Sequence, residues 1–379
     1  MKSNTKTIIL YRVIQEWRAP VFQRLSDCED LDLEVWHGPD FKGTKIISTT
    51  KAYQFKRRKL ISLKLKLKSK NGIIAMPVSP FLFFLLIIKN PDVVICEGSS
   101  NIINSIIAFV YCKLFQKKYI WWSLGKLQNR AYDIKRSLID RFVQYIEIKS
   151  HAIITYSSIG EDYFLSIGAK KEKIFKAVNV VDTEKVLSTI NVKDDLNDLK
   201  KEYENKYDFI ILFVGALIKE KSIDILIKAQ AKLEKLNPKI GLVIVGDGNY
   251  KKQLLNLSKE LNCENVEFVG KKIDDNYKYF VLGNVFVLPG LGGLAISEAM
   301  CYGLPIISSI GDGCEVDLVS PKNGIIDKAI TEDSLVEHIK YFMFNKSNTI
   351  EFGIESKRIV SEVYTINNYL NQIRNAIKS

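Results

Sequence analysis

The stretch from Val287 to Pro289 closes an apolar run and opens into Gly290-Leu291-Gly292-Gly293-Leu294, followed shortly by Glu298 and then by Gly303-Leu304-Pro305. Three glycines in four positions leave little side chain to pack, so a ligand can approach the main chain. Read as strand, loop, short helix and strand, the segment aims backbone N–H groups at one point, an arrangement suited to a phosphate. Gly303 suits a helix C-cap, and Pro305 prevents continuation. The plain alternative is a tight turn. Two further loops have related chemistry. Gly215-Ala216-Leu217-Ile218-Lys219-Glu220-Lys221 offers two cations that could neutralise phosphate oxygens as point charges. Gly246-Asp247-Gly248 is a tight turn after an apolar run, in which Asp247 could set the turn or meet a ligand.

These loops need strands in front of them, and the pattern supplies them. In the second half, Phe209–Val214, Gly241–Val245, Val266–Val269, Val285–Leu288 and Ile306–Ser308 read as short buried strands, with a helix over Ile223–Leu236. In the first half, Thr7–Tyr11, Leu33–Trp36, Asp92–Cys96, Tyr119–Trp122, Ala152–Thr155 and Ile174–Val178 alternate with helical stretches such as Asn101–Phe115 and Tyr132–Ile148. Alternation of this kind predicts parallel βαβ units. The expected fold class is α/β, with two Rossmann-like domains facing a central crevice. The polar patch Val192–Lys201 puts the boundary near 180–205. We assign 1–185 to the first domain, 186–360 to the second and 361–379 to a C-terminal helix packing back on the first.

The chain has 379 residues, 47% hydrophobic and 26% charged, a globular composition with room for two cores. Its net charge of +12 favours anionic partners. Residues 56–70, KRRKLISLKLKLKSK, concentrate that charge, and Leu63 to Lys68 alternate with strand period. This segment reads as a solvated edge guarded by lysine, or as a surface for anionic lipid heads. Aromatic residues do not interleave with it, which disfavours single-stranded nucleic acid. The apolar run Ile73–Ile88 is short for a membrane span and contains Pro77 and Pro80. It predicts a strand ending near Pro77 and a buried helix from Pro80, with an interfacial helix as the alternative. Six scattered cysteines show no CxxC spacing, and the N-terminus lacks a signal-peptide pattern, so a reducing cytoplasm is expected.

The runs FVGALIKEKSIDILIKA, LVIVGDG, VEFVG, NVFVLPGLGGLAISEAMCYGLPIIS and GDGCEVDLVSPKNGII occur in an order and spacing that resembles the retaining glycosyltransferases of family 4, of GT-B fold. The resemblance covers roughly residues 175–345. Trp17-Arg18-Ala19-Pro20-Val21-Phe22 and PDVVICEG resemble, more weakly, the first domain of polysaccharide-assembly members. The resemblance implies sugar transfer from a nucleotide-sugar to an acceptor hydroxyl with retained configuration. It matches Glu298 to the ribose-binding glutamate, Lys221 to the lysine stabilising the leaving diphosphate, and the backbone at Gly292, Gly293 and Leu294 to donor contacts. Gly215, Lys219, Gly246 and Asp247 complete the expected donor site, with Lys221 and Glu298 as the catalytic candidates. Glu315 falls in a family-like loop.

There are departures. The family commonly has a glutamate where Gly290 stands and an arginine where Ala216 stands. Lys219 could replace the arginine's charge. Neither His37, His151 nor His338 matches the family's first-domain histidine, and the turn Trp122-Ser123-Leu124-Gly125 carries leucine where a subset has histidine. Arg18 and Glu97 are candidate acceptor contacts. No metal and no cofactor are expected, and Asp30-Leu31-Asp32 reads as a turn. The expected partners are a nucleotide-sugar, a lipid-linked saccharide acceptor and the anionic inner face of the cytoplasmic membrane, with no nucleic acid. O-antigen, capsule or exopolysaccharide assembly is the expected setting. The rival reading is a silent subunit binding a glycan or a partner. A nicotinamide dehydrogenase is disfavoured, because Tyr11-Arg12-Val13 lacks the GxGxxG glycines.

Overall fold

A computed structural model describes residues 4–41, 46–69, 72–98, 101–125, 134–190, 196–272 and 275–379. The chain divides into two compact units, residues 1–177 with 367–379, and residues 178–366. Each is an α/β unit around a parallel sheet. The division lies ahead of the polar patch expected to mark it, because helix Thr183–Ile190 packs on helix Ala295–Cys301 of the second unit.

In the first unit the strands are β1 (Thr5–Tyr11), β2 (Leu31–His37), β3 (Lys56–Lys59), β4 (Leu63–Ser69), β5 (Gly72–Val78), β6 (Val93–Glu97), β7 (Lys118–Trp122), β8 (Ala152–Thr155) and β9 (Ile174–Lys176). Seven of them form one parallel sheet in the order β3-β2-β1-β6-β7-β8-β9. Val93, Val94, Ile95 and Cys96 are all fully buried, as expected of a strand covered on both faces. Helices α1 (Ala19–Ser26), α2 (Leu82–Lys89) and α3 (Ile102–Leu114) belong to this unit. α2 turns Leu82 and Leu86 into a core shared with Trp36, Trp121 and Tyr111. Each such leucine contributes about 1.5–3 kcal/mol.

The lysine-leucine alternation forms an antiparallel hairpin, β4 with β5, outside the large sheet. β3 supplies the sheet edge instead. The far end of the basic segment, the start of the helix expected at Tyr132 and residues 192–195 lie outside the described residues.

The second unit contains β10 (Phe209–Val214), β11 (Ile240–Val245), β12 (Val266–Gly270), β13 (Val285–Leu288), β14 (Ile306–Ser308) and β15 (Gly324–Ile326). Their order is β12-β11-β10-β13-β14-β15, parallel throughout. β15 is not among the strands read from the sequence. The last helix runs from Ile366 to Lys378 after a π-turn at Ile359–Val363, so it is shorter than the helical segment expected from residue 361. No described helix is long and apolar enough to cross a membrane.

Candidate active site

A parallel sheet whose strand order reverses leaves a crevice at the carboxyl ends of the strands where it reverses. In the second unit the chain runs β10-β11-β12 toward one edge and then restarts at β13 on the other side of β10. The loops after β10 and β13 therefore meet. Lys221, in a 3-10 turn at Lys219–Lys221, is only 8% exposed. Its ammonium donates to the carbonyl oxygen of Gly292 at 2.6 Å. The bond carries a cation from one loop into the glycine turn of the other.

Close backbone approach explains the glycines. A Cβ at Gly290 would lie 2.7 Å from the Cα of Lys221, and the Leu291 N–H donates to the Glu220 carbonyl at 2.7 Å. No side chain fits at 290 in this arrangement, so the glutamate common at this position in the resembling family has no room here. On the other side, a Cβ at Gly292 would come within 2.9 Å of both the Glu315 carboxyl carbon and an Asp312 oxygen. The glycine turn is thus held between the β10 loop and the β14 loop.

Glu315 is fully buried and accepts from the Gly313 N–H at 2.8 Å. Burial, with the charge of Asp312 second, pushes its carboxyl up to about 7. A carboxylate out of water favours its neutral form. Its resemblance to a family loop drew attention to it, but its burial against Gly292 required the structure.

Glu298 lies in the first turn of helix Ala295–Cys301 and is half-buried. The side-chain amide of Asn276 donates to it at 2.8 Å. Asn276 sits 22 residues away and carries no sequence signal for this role. Gly293 and Leu294 lie between Gly292 and that helix, Leu294 being its N-cap. Gly215 and Gly246 follow β10 and β11 directly, and the Gly215 N–H donates to the Val245 carbonyl at 2.9 Å. Lys219 is exposed on the loop that carries Lys221. Asp247 is also exposed, and its carboxylate accepts from the Gly248 N–H at 2.8 Å. That contact is the turn-setting role of an aspartate.

In the first unit, the reversal falls between β1 and β6. Glu97, at the end of β6, accepts from the Arg12 N–H at the end of β1 at 2.6 Å. Arg18 lies differently from a surface contact. The expected acceptor contact is fully buried, donating to the hydroxyl of Tyr369 and packed 4.4 Å from the Trp17 ring centroid and 5.0 Å from that of Trp122. Tyr369 belongs to the last helix, so Arg18 ties that helix into the first unit. Stacking on aromatic faces suits a guanidinium that is buried.

Asp30 pairs with Arg374 at 2.9 Å and Lys378 at 2.5 Å, and Asp32 with Lys56 at 2.7 Å. These carboxylates are occupied by cations. Among the described residues no cluster of His, Cys, Asp and Glu has metal-site geometry. His37 is buried with its ring nitrogen 2.9 Å from the Gly38 carbonyl, and His338 lies 3.2 Å from Asp327.

Residues 194–358 match the family model for glycosyl transferases group 1. An uncharacterized glycosyltransferase of Haemophilus influenzae is 30% identical over 198 residues, 50% of this chain and 54% of that protein. The N-acetylgalactosamine-N,N'-diacetylbacillosaminyl-diphospho-undecaprenol 4-alpha-N-acetylgalactosaminyltransferase of Campylobacter jejuni is 26% identical over 54% of each chain. The matched stretch therefore spans about half the length of each of these relatives. Anabaena HepE, solved in complex with UDP, superimposes with a TM-score of 0.76 over 99% of this chain and 100% of that one, at 16% identity. At that identity the likeness is one of fold, two Rossmann-like domains of the GT-B class. The family model and the relatives together support a transferase enzyme.

Proposed function

We propose that the chain is a retaining glycosyltransferase that moves a sugar from a nucleotide-sugar to a lipid-linked saccharide in O-antigen, capsule or exopolysaccharide assembly. The observation that carries the reading is the bond from Lys221 to Gly292 at the reversal of the second sheet. A buried ammonium held against a glycine turn would stabilise the charge a departing diphosphate gains, and stabilising charge that develops in the transition state is catalysis. Lys219 adds a second cation at the mouth of the same loop. Glu298 can accept from two adjacent hydroxyls, which fits a ribose. The leaving phosphate can itself serve as the base in a retaining transfer, so the closed position at Gly290 does not remove an essential group.

Support for the two substrates is of different kinds. HepE was solved with UDP, which favours a nucleoside diphosphate donor. The Campylobacter jejuni relative is named for a diphospho-undecaprenol acceptor, which favours a lipid-linked one. A cytoplasmic protein attached peripherally to the membrane would meet both. No bound metal or cofactor is needed for this chemistry.

A second reading is a silent subunit that binds a glycan or a protein. Gly290 and Ala216, which stand where the family commonly has glutamate and arginine, favour it. One experiment separates the two. The melting temperature is measured with UDP-, GDP- and ADP-sugars, for the native chain and for Glu298→Ala. A rise with one nucleotide class, lost in the variant, supports the transferase. No rise with any donor, in a folded protein, sinks it in favour of the silent subunit.

A further inference from the structure

The segment in front of β13, Tyr277–Leu282, is a helix of six residues, too short to hold itself in water. Packing holds it instead. Phe280 is fully buried, and its ring stacks on Tyr302 with centroids 5.2 Å apart and planes 8° from parallel. It also lies 6.2 Å from Phe286 of β13. Tyr302 is the C-cap of the helix Ala295–Cys301, which carries Glu298. Four residues before Phe280, the Asn276 amide donates to Glu298 at 2.8 Å, and Glu298 stands four residues before Tyr302. Residues four apart share a helix face. Two contacts therefore fasten the same two faces, one aromatic and one polar, and both partners of the polar one are half-buried.

The aromatic stack and the buried Phe280 dock the short helix by burial. The polar contact adds direction, which burial does not supply. The last torsion of a glutamate is broad, so its two oxygens have no sharp setting of their own. An amide N–H that holds one oxygen also fixes the other. It does so without neutralising the charge, as lysine or arginine would. A carboxylate has about four lone-pair sites, so one bond orients it without exhausting it.

We propose that Asn276 is a positioning residue of the donor site. It sets the Glu298 carboxylate to accept from both hydroxyls of a ribose, and thereby sets a preference for a ribonucleotide over its 2′-deoxy counterpart. This role rests on the transferase reading, in which Glu298 meets the donor's ribose. A donor lacking one hydroxyl leaves an oriented acceptor unpaired, which is how a site rejects an analogue.

The test is titration calorimetry of the full chain with UDP, GDP and ADP, each against its 2′-deoxy form. The native chain should bind one ribonucleotide more tightly than its deoxy form. Asn276→Ala should cut that ratio about tenfold, by weakening the ribonucleotide and not the deoxynucleotide. Asn276→Asp keeps the shape and replaces the donor by an acceptor, so it should cut the ratio as much while the chain stays folded, checked by its melting temperature. In a Glu298→Ala background, Asn276→Ala should change the ratio no further, because it acts only through Glu298. The proposal falls if the native chain binds both forms equally, or if Asn276→Asp keeps the native ratio. It falls also if the variants weaken both forms alike, as a merely structural role would, or if the two alanine substitutions add in full. In each of these cases a bound diphosphate leaves the transferase reading standing. If no diphosphate binds the native chain, that reading falls and the role of Asn276 falls with it.

Discussion

The two sheets reverse their strand order in the same way, yet the reversals are bridged by opposite charges. In the first unit a carboxylate, Glu97, takes the Arg12 N–H across β1 and β6. In the second a lysine, Lys221, reaches the Gly292 carbonyl from the β10 loop into the β13 loop. The common topology puts a crevice at the carboxyl ends of the strands in each. The bridging group decides what each opening prefers, because fold does not dictate function. A cation beside a glycine turn invites a diphosphate, while a carboxylate repels one and can accept from hydroxyls. On this comparison, the proposed nucleotide-sugar would be held by the second unit and the proposed saccharide by the first.

The largest expected effect tests the cation. Lys221→Ala should lower turnover by on the order of 100- to 1,000-fold, as loss of a transition-state charge contact does. The readout is kcat with the donor found in the thermal-shift panel. A loss under tenfold would remove Lys221 from the centre of the comparison. Next comes the glycine turn. Gly290→Glu restores the residue common in the resembling family, and a transferable motif would raise activity. The structure predicts the reverse, a loss of about 1–3 kcal/mol by urea denaturation together with lower activity, because the new side chain meets the Glu220–Lys221 backbone.

A smaller effect should come from Glu315. Its carboxyl sits above its ordinary value of 4.5, at about 7, so the folded chain binds this proton more tightly than the unfolded chain. The stability it contributes is whole below 4.5 and is lost as pH rises through about 7. Glu315→Gln has no such proton. The native chain should therefore lose melting temperature relative to the variant across that window, on the order of a few degrees. Parallel melting curves across the window would show that Glu315 is not held in its raised state. The smallest effect is expected at Glu97→Gln. It keeps an acceptor for the Arg12 N–H and should leave nucleotide binding unchanged, whatever it does to acceptor KM. Loss of the nucleotide shift would erase the contrast between the two openings.

Much of this site was legible in the chain. The buried strands of the second unit are runs of Ile, Val, Leu and Phe, and the glycines and lysines stand directly after them. A parallel sheet puts every strand end on the same edge, so Gly215, Lys221, Gly246 and the Gly290–Gly293 turn could be grouped before any coordinates. Arg18, a candidate acceptor contact, shows where a local reading stops, because its burial is set by a distant helix. A surface loop arginine and a buried one look alike in sequence, and only the distant Tyr369 shows which it is. The Leu-Lys alternation correctly indicated a strand, but not that its partner would be β5 rather than the large sheet.

What the sequence determined by itself were the local quantities: strand and helix identity, the order of loops along one sheet edge, and the concentration of basic charge between residues 56 and 70. These depend on periodicity and on the chain's own direction. Tertiary structure decided which side chains meet across long separations. Glu315 against Gly292, Asn276 on Glu298 and Arg18 on Tyr369 all depend on packing between segments far apart in the chain. No local pattern encodes such contacts, because burial of a polar or apolar side chain is a property of its neighbours in space.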